Sequence, residues 1–531
     1  MSDGTGLILR SAACALLASA ALGAHAAPDL GPAESPPSPA PSQASLGPEL
    51  SKLSPDAFLR LLVARNLEIQ FSQLNTDVTR HLEQSESALY EPTFFMGIRQ
   101  EGRDRQRTPD ERLQNTFTAG TAVLDETARN DEFGIRGKLP TGAEVTVSYK
   151  ASSKSNNLIS KTSAYDTEYT NLLNITLKQP LLRNAGRAVT ETDRRIAELE
   201  HQISLQQLVQ QTLKASIDGL TLYWQLYRAQ ETVALRKEAM TSSEALMADA
   251  SSRVSAGRAP ASALLEMRGA VLNREAELAR SLQALLESRS KLSTAINMFG
   301  SDLAPMTIAP PLHSSNSPPA SPTPPIDQVL RLWTPYQIAV LRQQQAQTRL
   351  NFASNQALPV MDLVMSYGGT GFSNKPEEAR KTAGQGNYPD WYLGLNFEIP
   401  VGGNQKAMQQ LLAQGSRLTQ AELELQAIRN SFTNDLAVRQ GDLENAQGVL
   451  DLSSKEVQLR QRIFDNERQR VQIGSGSISN LIQKQADYIE SKQRMLENQI
   501  RYEVALALLQ YVQGSLLSDN GIHISEALPD R

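Results

Sequence analysis

Residues 391–403 read WYLGLNFEIPVGG. Trp391, Leu393, Leu395, Phe397 and Ile399 alternate with Tyr392, Gly394, Asn396 and Glu398, so the two sets leave opposite faces of an extended chain. Pro400 closes the run, because proline donates nothing to a ladder and fixes its own φ. On both sides lie long segments rich in Ala, Gln, Glu and Leu, the composition of helices. A helical chain that carries so apolar a strand face needs something to cover it.

Three further runs alternate in the same way. In residues 93–101, Phe94, Met96 and Ile98 share one face, and Phe95 is the exception on the polar side. In residues 171–179, Leu173, Ile175 and Leu177 oppose Asn174, Thr176 and Lys178. In residues 360–367, Met361, Leu363, Met365 and Tyr367 oppose Asp362 and Ser366. A hairpin signal, FGIRGKL and AEVTVSY around Pro140-Thr141-Gly142, lies near 133–149. Its pattern leaves open whether it joins the other strands or stands above them.

The rest of the chain is helical in pattern. Residues 186–256 and 404–473 contain no proline. At about 1.5 Å per residue each would span roughly 105 Å. Leu213, Ile217, Leu220, Trp224 and Tyr227 step by threes and fours, while the opposite face is polar, which suits the wall of a hollow tube.

Punctuation repeats along the chain. Pro92 and Pro359 open strands, and Pro180 and Pro400 close them. Gly257 stands 77 residues after Pro180, and Gly474 stands 74 after Pro400. Gly300 and Gly514 then end a further helix in each half. We read an internal duplication, 50–301 and 326–515. Pro-rich segments 27–49 and 302–325 read as connectors, and 516–531 as a tail.

Composition narrows the class. The 531 residues carry a net charge of −5, with no basic excess of the kind nucleic-acid binding needs. SAACALLASAALG at 11–23, followed by Ala24-His25-Ala26, reads as a signal peptide over 1–26. The one cysteine, Cys14, falls inside it, so the mature chain would hold no disulfide. Past that segment no apolar run is long enough for a membrane helix. His25, His81, His201, His313 and His523 are scattered, and GSGS at 474–477 lacks the lysine of a phosphate loop. The expectation is no enzyme, no metal and no cofactor.

Strands are then the means of meeting a bilayer. A spanning strand needs about 9–11 residues, and the sheet must close so that every backbone group pairs. Four strands are too few for a closed barrel of about eight or more. Three chains of four strands would make twelve under cyclic symmetry. Trp391, Tyr392 and Tyr367 would contribute to an interfacial aromatic belt.

NITLKQPLLRNAGRA (174–188) and LNFEIPVGGNQKA (395–407) resemble the strand–Pro–Gly–helix junction of TolC-type outer-membrane efflux proteins. RVSAGRAPASALLE (253–266) and RVQIGSGSISNLIQ (470–483) resemble that family's helix-hairpin turn. The resemblance covers roughly 50–515. It implies a mainly α fold with membrane β: a homotrimer with a 12-stranded outer-membrane β-barrel continued by a long periplasmic α-helical barrel. It also implies a periplasmic adaptor (a membrane fusion protein) and an inner-membrane pump, with the chain serving as passive exit duct for efflux or type I secretion. Arg253, Val254, Gly257, Arg470, Val471 and Gly474 would form the periplasmic tip that meets the adaptor. Family members can ring their aperture with acids just past the second turn. Here those positions are Asn480 and Gln483, with Glu266 in the first half, so a polar constriction is expected. Two other classes compete. A periplasmic coiled-coil scaffold or adaptor explains the helices but gives the strands no task, and a porin needs more strands in one chain.

Overall fold

The computed structural model describes residues 53–114, 116–159, 163, 165–258, 260–298, 308–310 and 325–522. The expected signal peptide with Cys14, the segment 27–49, most of 302–325, Gly300 and the end of the tail lie outside the described residues. From Leu53 onward the chain forms one contact unit.

The chain enters through α1 (Pro55–Arg65) and α2 (Leu67–Ser87). Asn66 joins them. Its backbone N–H closes α1 on the Leu62 carbonyl, and its side-chain oxygen accepts from the amides of Glu68 and Ile69 to start α2. Strands β1 (Thr93–Gln106), β2 (Val123–Lys138), β3 (Glu144–Asn156) and β4 (Thr167–Pro180) follow, with short α3 (Pro109–Leu113) between the first two. After α4 (Arg187–Thr190) come the 64-residue α5 (Thr192–Ser255) and then α6 (Ala261–Ala295). The second half runs α7 (Ile326–Leu332), α8 (Thr334–Gln356), β5 (Val360–Ser373), α9 (Pro376–Gln385) and β6 (Pro389–Glu398). The 68-residue α10 (Gln405–Gln472), α11 (Ile478–Gln513) and α12 (Leu516–Asp519) complete it. At ~1.5 Å per residue α5 and α10 each reach about 100 Å.

Glycine ends these helices where the sequence placed it. Gly257, Gly474 and Gly514 have φ of 68°, 81° and 73°, the left-handed conformation that needs no Cβ. The end of α6 differs from expectation. Asn297, at φ 49°, takes the left-handed position three residues before Gly300, which asparagine tolerates through local hydrogen bonding.

The helices pack side by side: α5 on α6, α10 on α11, with α2 and α8 added as shorter staves. One core joins Val329, Leu330, Phe432, Leu436, Leu450, Leu509 and Val512, and Trp333 lies 4.9 Å from Phe432, centroid to centroid. A second centre pairs Phe58 with Tyr223 at 5.3 Å, and the buried Tyr223 hydroxyl donates to the Leu53 carbonyl at 2.7 Å. Among the described residues no helix is long and apolar enough to cross a membrane.

The strands form one sheet in the order β1-β2-β3-β4-β5-β6, antiparallel at every step. This corrects the expectation of four strands. The hairpin β2–β3 is inserted between β1 and β4, so the described residues of each chain bring six. Twelve strands from three chains therefore no longer follows. Charge hid β2: DETARNDE at 125–132 breaks the apolar alternation, yet thirteen residues of β2 pair with β3.

Candidate functional site

Alternation within strands and register between them decide which side chains share a face. In an antiparallel pair, residues directly opposite lie on the same face. Phe94 and Met96 stand opposite Ile135 and Phe133. Those stand opposite Val147 and Tyr149, which meet Ile175 and Leu173 of β4. Ile175 and Leu177 meet Tyr367 and Met365, which meet Trp391 and Leu393 of β6. Leu363 and Met361 face Leu395 and Phe397. The register thus gathers the expected apolar residues of all four foreseen strands into one band and adds β2 and β3 to it. Ile98 shares the face but stands opposite Asp131 at the band's edge. Ile399 lies just past the end of β6 and is exposed.

The opposite face is polar. Ser366 donates to Asn174 at 2.7 Å, and Asn174 donates to Thr176 at 3.0 Å. Lys178 pairs with Asp362 at 3.0 Å, and Lys154 with Glu126 at 2.8 Å. Phe95 belongs to this face and fills the space above Gly134, where a Cβ would stand 2.7 Å from its ring. That accounts for the one aromatic out of pattern. Tyr392, opposite Ser366, is also on this face. The expectation that it joins Trp391 and Tyr367 in an aromatic belt is corrected, since neighbours in a strand point apart.

Burial is inverted relative to a sheet in a soluble core. Asp362 and Ser366 are buried at 7% and 8%, whereas Tyr367, Trp391 and Leu393 are exposed at 63%, 67% and 63%. On β5 the polar face is the sheltered one, whereas the edge strands β1 and β6 are exposed on both faces apart from the half-buried Phe95 and Gly394. Above the band the outer half of β1, residues 99–106 (RQEGRDRQ), is charged or polar on both faces.

The other end of the molecule is built by two helix turns. Arg253, near the end of α5, donates to Asp249 at 2.9 Å and to the Val471 carbonyl at 2.5 Å. It ties the α5–α6 turn to the α10–α11 turn. Arg470 pairs with the buried Glu467 at 3.2 Å. Val471 is buried with Phe464 and Leu481, against Leu246, Ile478 and Tyr488. Within one chain it is thus a packing residue, whereas Gly257, Arg470 and Gly474 are exposed and Val254 is partly so. Gln485 bridges α11 to α5, accepting from Ser243 at 3.2 Å and donating to Ser242 at 3.0 Å. Glu266, Asn480 and Gln483 are exposed, and Gln483 donates to Asp487 at 2.9 Å.

Strands and helices meet at Glu191. Tyr90 donates to its carboxylate at 2.8 Å and Arg187 at 2.9 Å, with Arg194 at 3.5 Å. The Tyr90 hydrogen bond, then that of Arg187, hold the Glu191 carboxyl below its ordinary value of 4.5.

Solved structures share this arrangement of sheet and long helices as an overall fold. The Campylobacter jejuni CmeC outer membrane channel matches over 90% of this chain and 90% of its own, at 11% identity and a TM-score of 0.62. The chain has the fold of an outer-membrane channel. The open-state Neisseria gonorrhoeae MtrE outer membrane channel matches over 87% of this chain and 89% of its own, at 15% identity and a TM-score of 0.60. The Vibrio cholerae outer membrane protein VceC covers 87% of this chain and 96% of its own, at 12% identity and a TM-score of 0.58. No protein-family model and no curated protein matches the sequence. The TolC-type resemblance read from prolines, glycines and helix turns is thus met at the level of the outer-membrane-channel fold. Sequence reasoning missed Phe133, Ile135, Val145, Val147 and Tyr149 as members of the band, although the alternation of EVTVSY carried the signal. Missed too was α9.

Proposed function

We propose that the chain is one protomer of a homotrimeric exit duct of the TolC type. It would sit in the outer membrane of a double-membraned bacterium and serve a tripartite efflux or type I secretion system. The observation that carries this reading is the exposed apolar band above a polar face that is sheltered on β5. Apolar side chains gain nothing from water, and lipid is the solvent that suits an exposed apolar sheet face. The scaffold reading leaves that band without a partner.

Edges β1 and β6 carry unpaired backbone groups that hydrocarbon does not tolerate. Pairing β6 of one copy with β1 of the next satisfies them, and three copies of a six-stranded sheet close a ring of eighteen strands. On the helices, Leu67, Phe71, Leu74, Val78 and Leu82 of α2 form an exposed stripe at helical spacing. That stripe fits a seam between copies. The shaft would extend into the periplasm and meet the adaptor at a tip formed by Arg253, Val254, Gly257, Arg470 and Gly474. There Val471 would act as support beneath the contact surface. The inner-membrane pump would load the duct, and Glu266, Asn480 and Gln483 would line its aperture.

Electron microscopy of the detergent-extracted full chain tests this. Three-fold tubes of over about 100 Å, from the helix rise, are expected. Compact monomers that stay in solution without detergent would overturn it.

A further inference from the structure

The connection between β5 and β6 is polar in sequence, yet it folds as the ten-residue helix α9. Its placement is specific. Gly369 and Gly371 continue the face of Met365 and Tyr367, two and four residues beyond the band. A Cβ on Gly371 would stand 2.0 Å from the Ala379 carbonyl oxygen, and one on Gly369 2.5 Å from that of Ala383. The helix therefore lies flat on the outward face of the sheet, with Ala379 and Ala383 buried beneath it. Asn171, opposite Gly371, anchors it. With its amide oxygen turned outward it accepts from the Arg380 backbone N–H at 2.9 Å and from the Tyr149 hydroxyl at 3.3 Å.

Height follows from strand geometry. Two to four residues at ~3.3 Å place the helix roughly 7–13 Å past Tyr367 along the strand, before tilt. A headgroup layer is about 5–8 Å thick on each side of the hydrocarbon. The solvent side of α9 offers no apolar residue to acyl chains: Glu377, Arg380, Lys381 and Gln385 are exposed there. Lys375 is closed on Glu378 at 3.3 Å, and Glu378 also accepts from Ser373 at 2.9 Å. Arg380 and Lys381 have no ion pair among the described residues, against one such acid, Glu377.

We propose that α9 is a collar bedded in the phosphate headgroups of the outer leaflet, where Arg380 and Lys381 hold anionic lipid. This rests on the barrel reading above, and the test separates the two. The full chain is reconstituted in vesicles of phosphatidylcholine with a nitroxide on the headgroup or on the acyl chain. A fluorophore is placed through Gln385→Cys on the helix or Leu393→Cys in the band. The label at 385 should be quenched by the headgroup nitroxide and the label at 393 by the acyl nitroxide. Replacing part of the unlabelled lipid by phosphatidylglycerol should relieve quenching at 385. The local preference for the anionic lipid should be about fivefold, and it should vanish in Arg380→Gln/Lys381→Gln. Failure of acyl quenching at 393 overturns the barrel. With 393 quenched, a label at 385 reached only by aqueous iodide overturns the collar alone. So does a label shielded only in native envelopes, which would mark a protein partner. Headgroup quenching insensitive to phosphatidylglycerol, or unchanged in the double variant, overturns the anionic-lipid assignment.

Discussion

Phe432 is fully buried and packs against Trp333, with the rings tilted at 44°, at the centre of the core shared by α7, α10 and α11. Phe432→Ala should cost about 3–5 kcal/mol, since the cavity adds to the lost transfer energy. A fall in the thermal midpoint of the detergent-solubilised protein would show it. Gly371 makes a different demand. Any side chain there meets the backbone of α9, so Gly371→Val should detach the helix and speed amide exchange over 376–385 while the sheet persists. Glu191 supplies the pH dependence. Its folded-state carboxyl titrates below the free value of 4.5. The stability it adds is fully present above that value and is lost as pH falls through the depressed one. Glu191→Gln should therefore lower the thermal midpoint at neutral pH and flatten its decline below about pH 4.5.

At the scale of elements, the tip depends on one side chain that joins two turns. Arg253 donates to the Val471 carbonyl at the end of α10, which also accepts from the Gly474 N–H at 3.1 Å, so one side chain reinforces the turn from the neighbouring hairpin. Arg253→Ala should loosen residues 470–474 and raise their amide exchange roughly tenfold, or ~1.4 kcal/mol. Exchange in the Phe432 core should not change. If the turn keeps its protection, Arg253 is dispensable and the buried Val471 cluster alone holds the hairpins together. The β2–β3 hairpin shows the reverse balance. Its charged half pairs fully in the sheet because backbone hydrogen bonds, not side-chain apolarity, set pairing above the band.

For the whole molecule, ring closure and aperture are the measurable consequences. Single cysteines scanned along β1 and β6 should cross-link neighbouring copies and give dimer and trimer bands on oxidation; monomer alone would leave the edges open. With eighteen strands the bore should exceed that of twelve, because barrel diameter grows roughly linearly with strand number. Single-channel conductance of a tip-opened form would then be limited by the shaft. Asn480→Ala with Gln483→Ala should change conductance in the closed form, and an unchanged value would place the constriction elsewhere.

The sequence by itself determined what is local and periodic. Alternation named the apolar face of β1, β4, β5 and β6, proline marked strand ends, and glycine marked Gly257, Gly474 and Gly514, because these signals act within a few residues. Only the tertiary structure decided what depends on partners distant along the chain. It set six strands instead of four, buried Val471 and laid α9 on the sheet. The reason is physical. Register and helix docking are settled by backbone hydrogen bonds and close approach between segments more than 200 residues apart, such as the paired Tyr169 and Ser373 of β4 and β5, and no local pattern encodes which segments will meet.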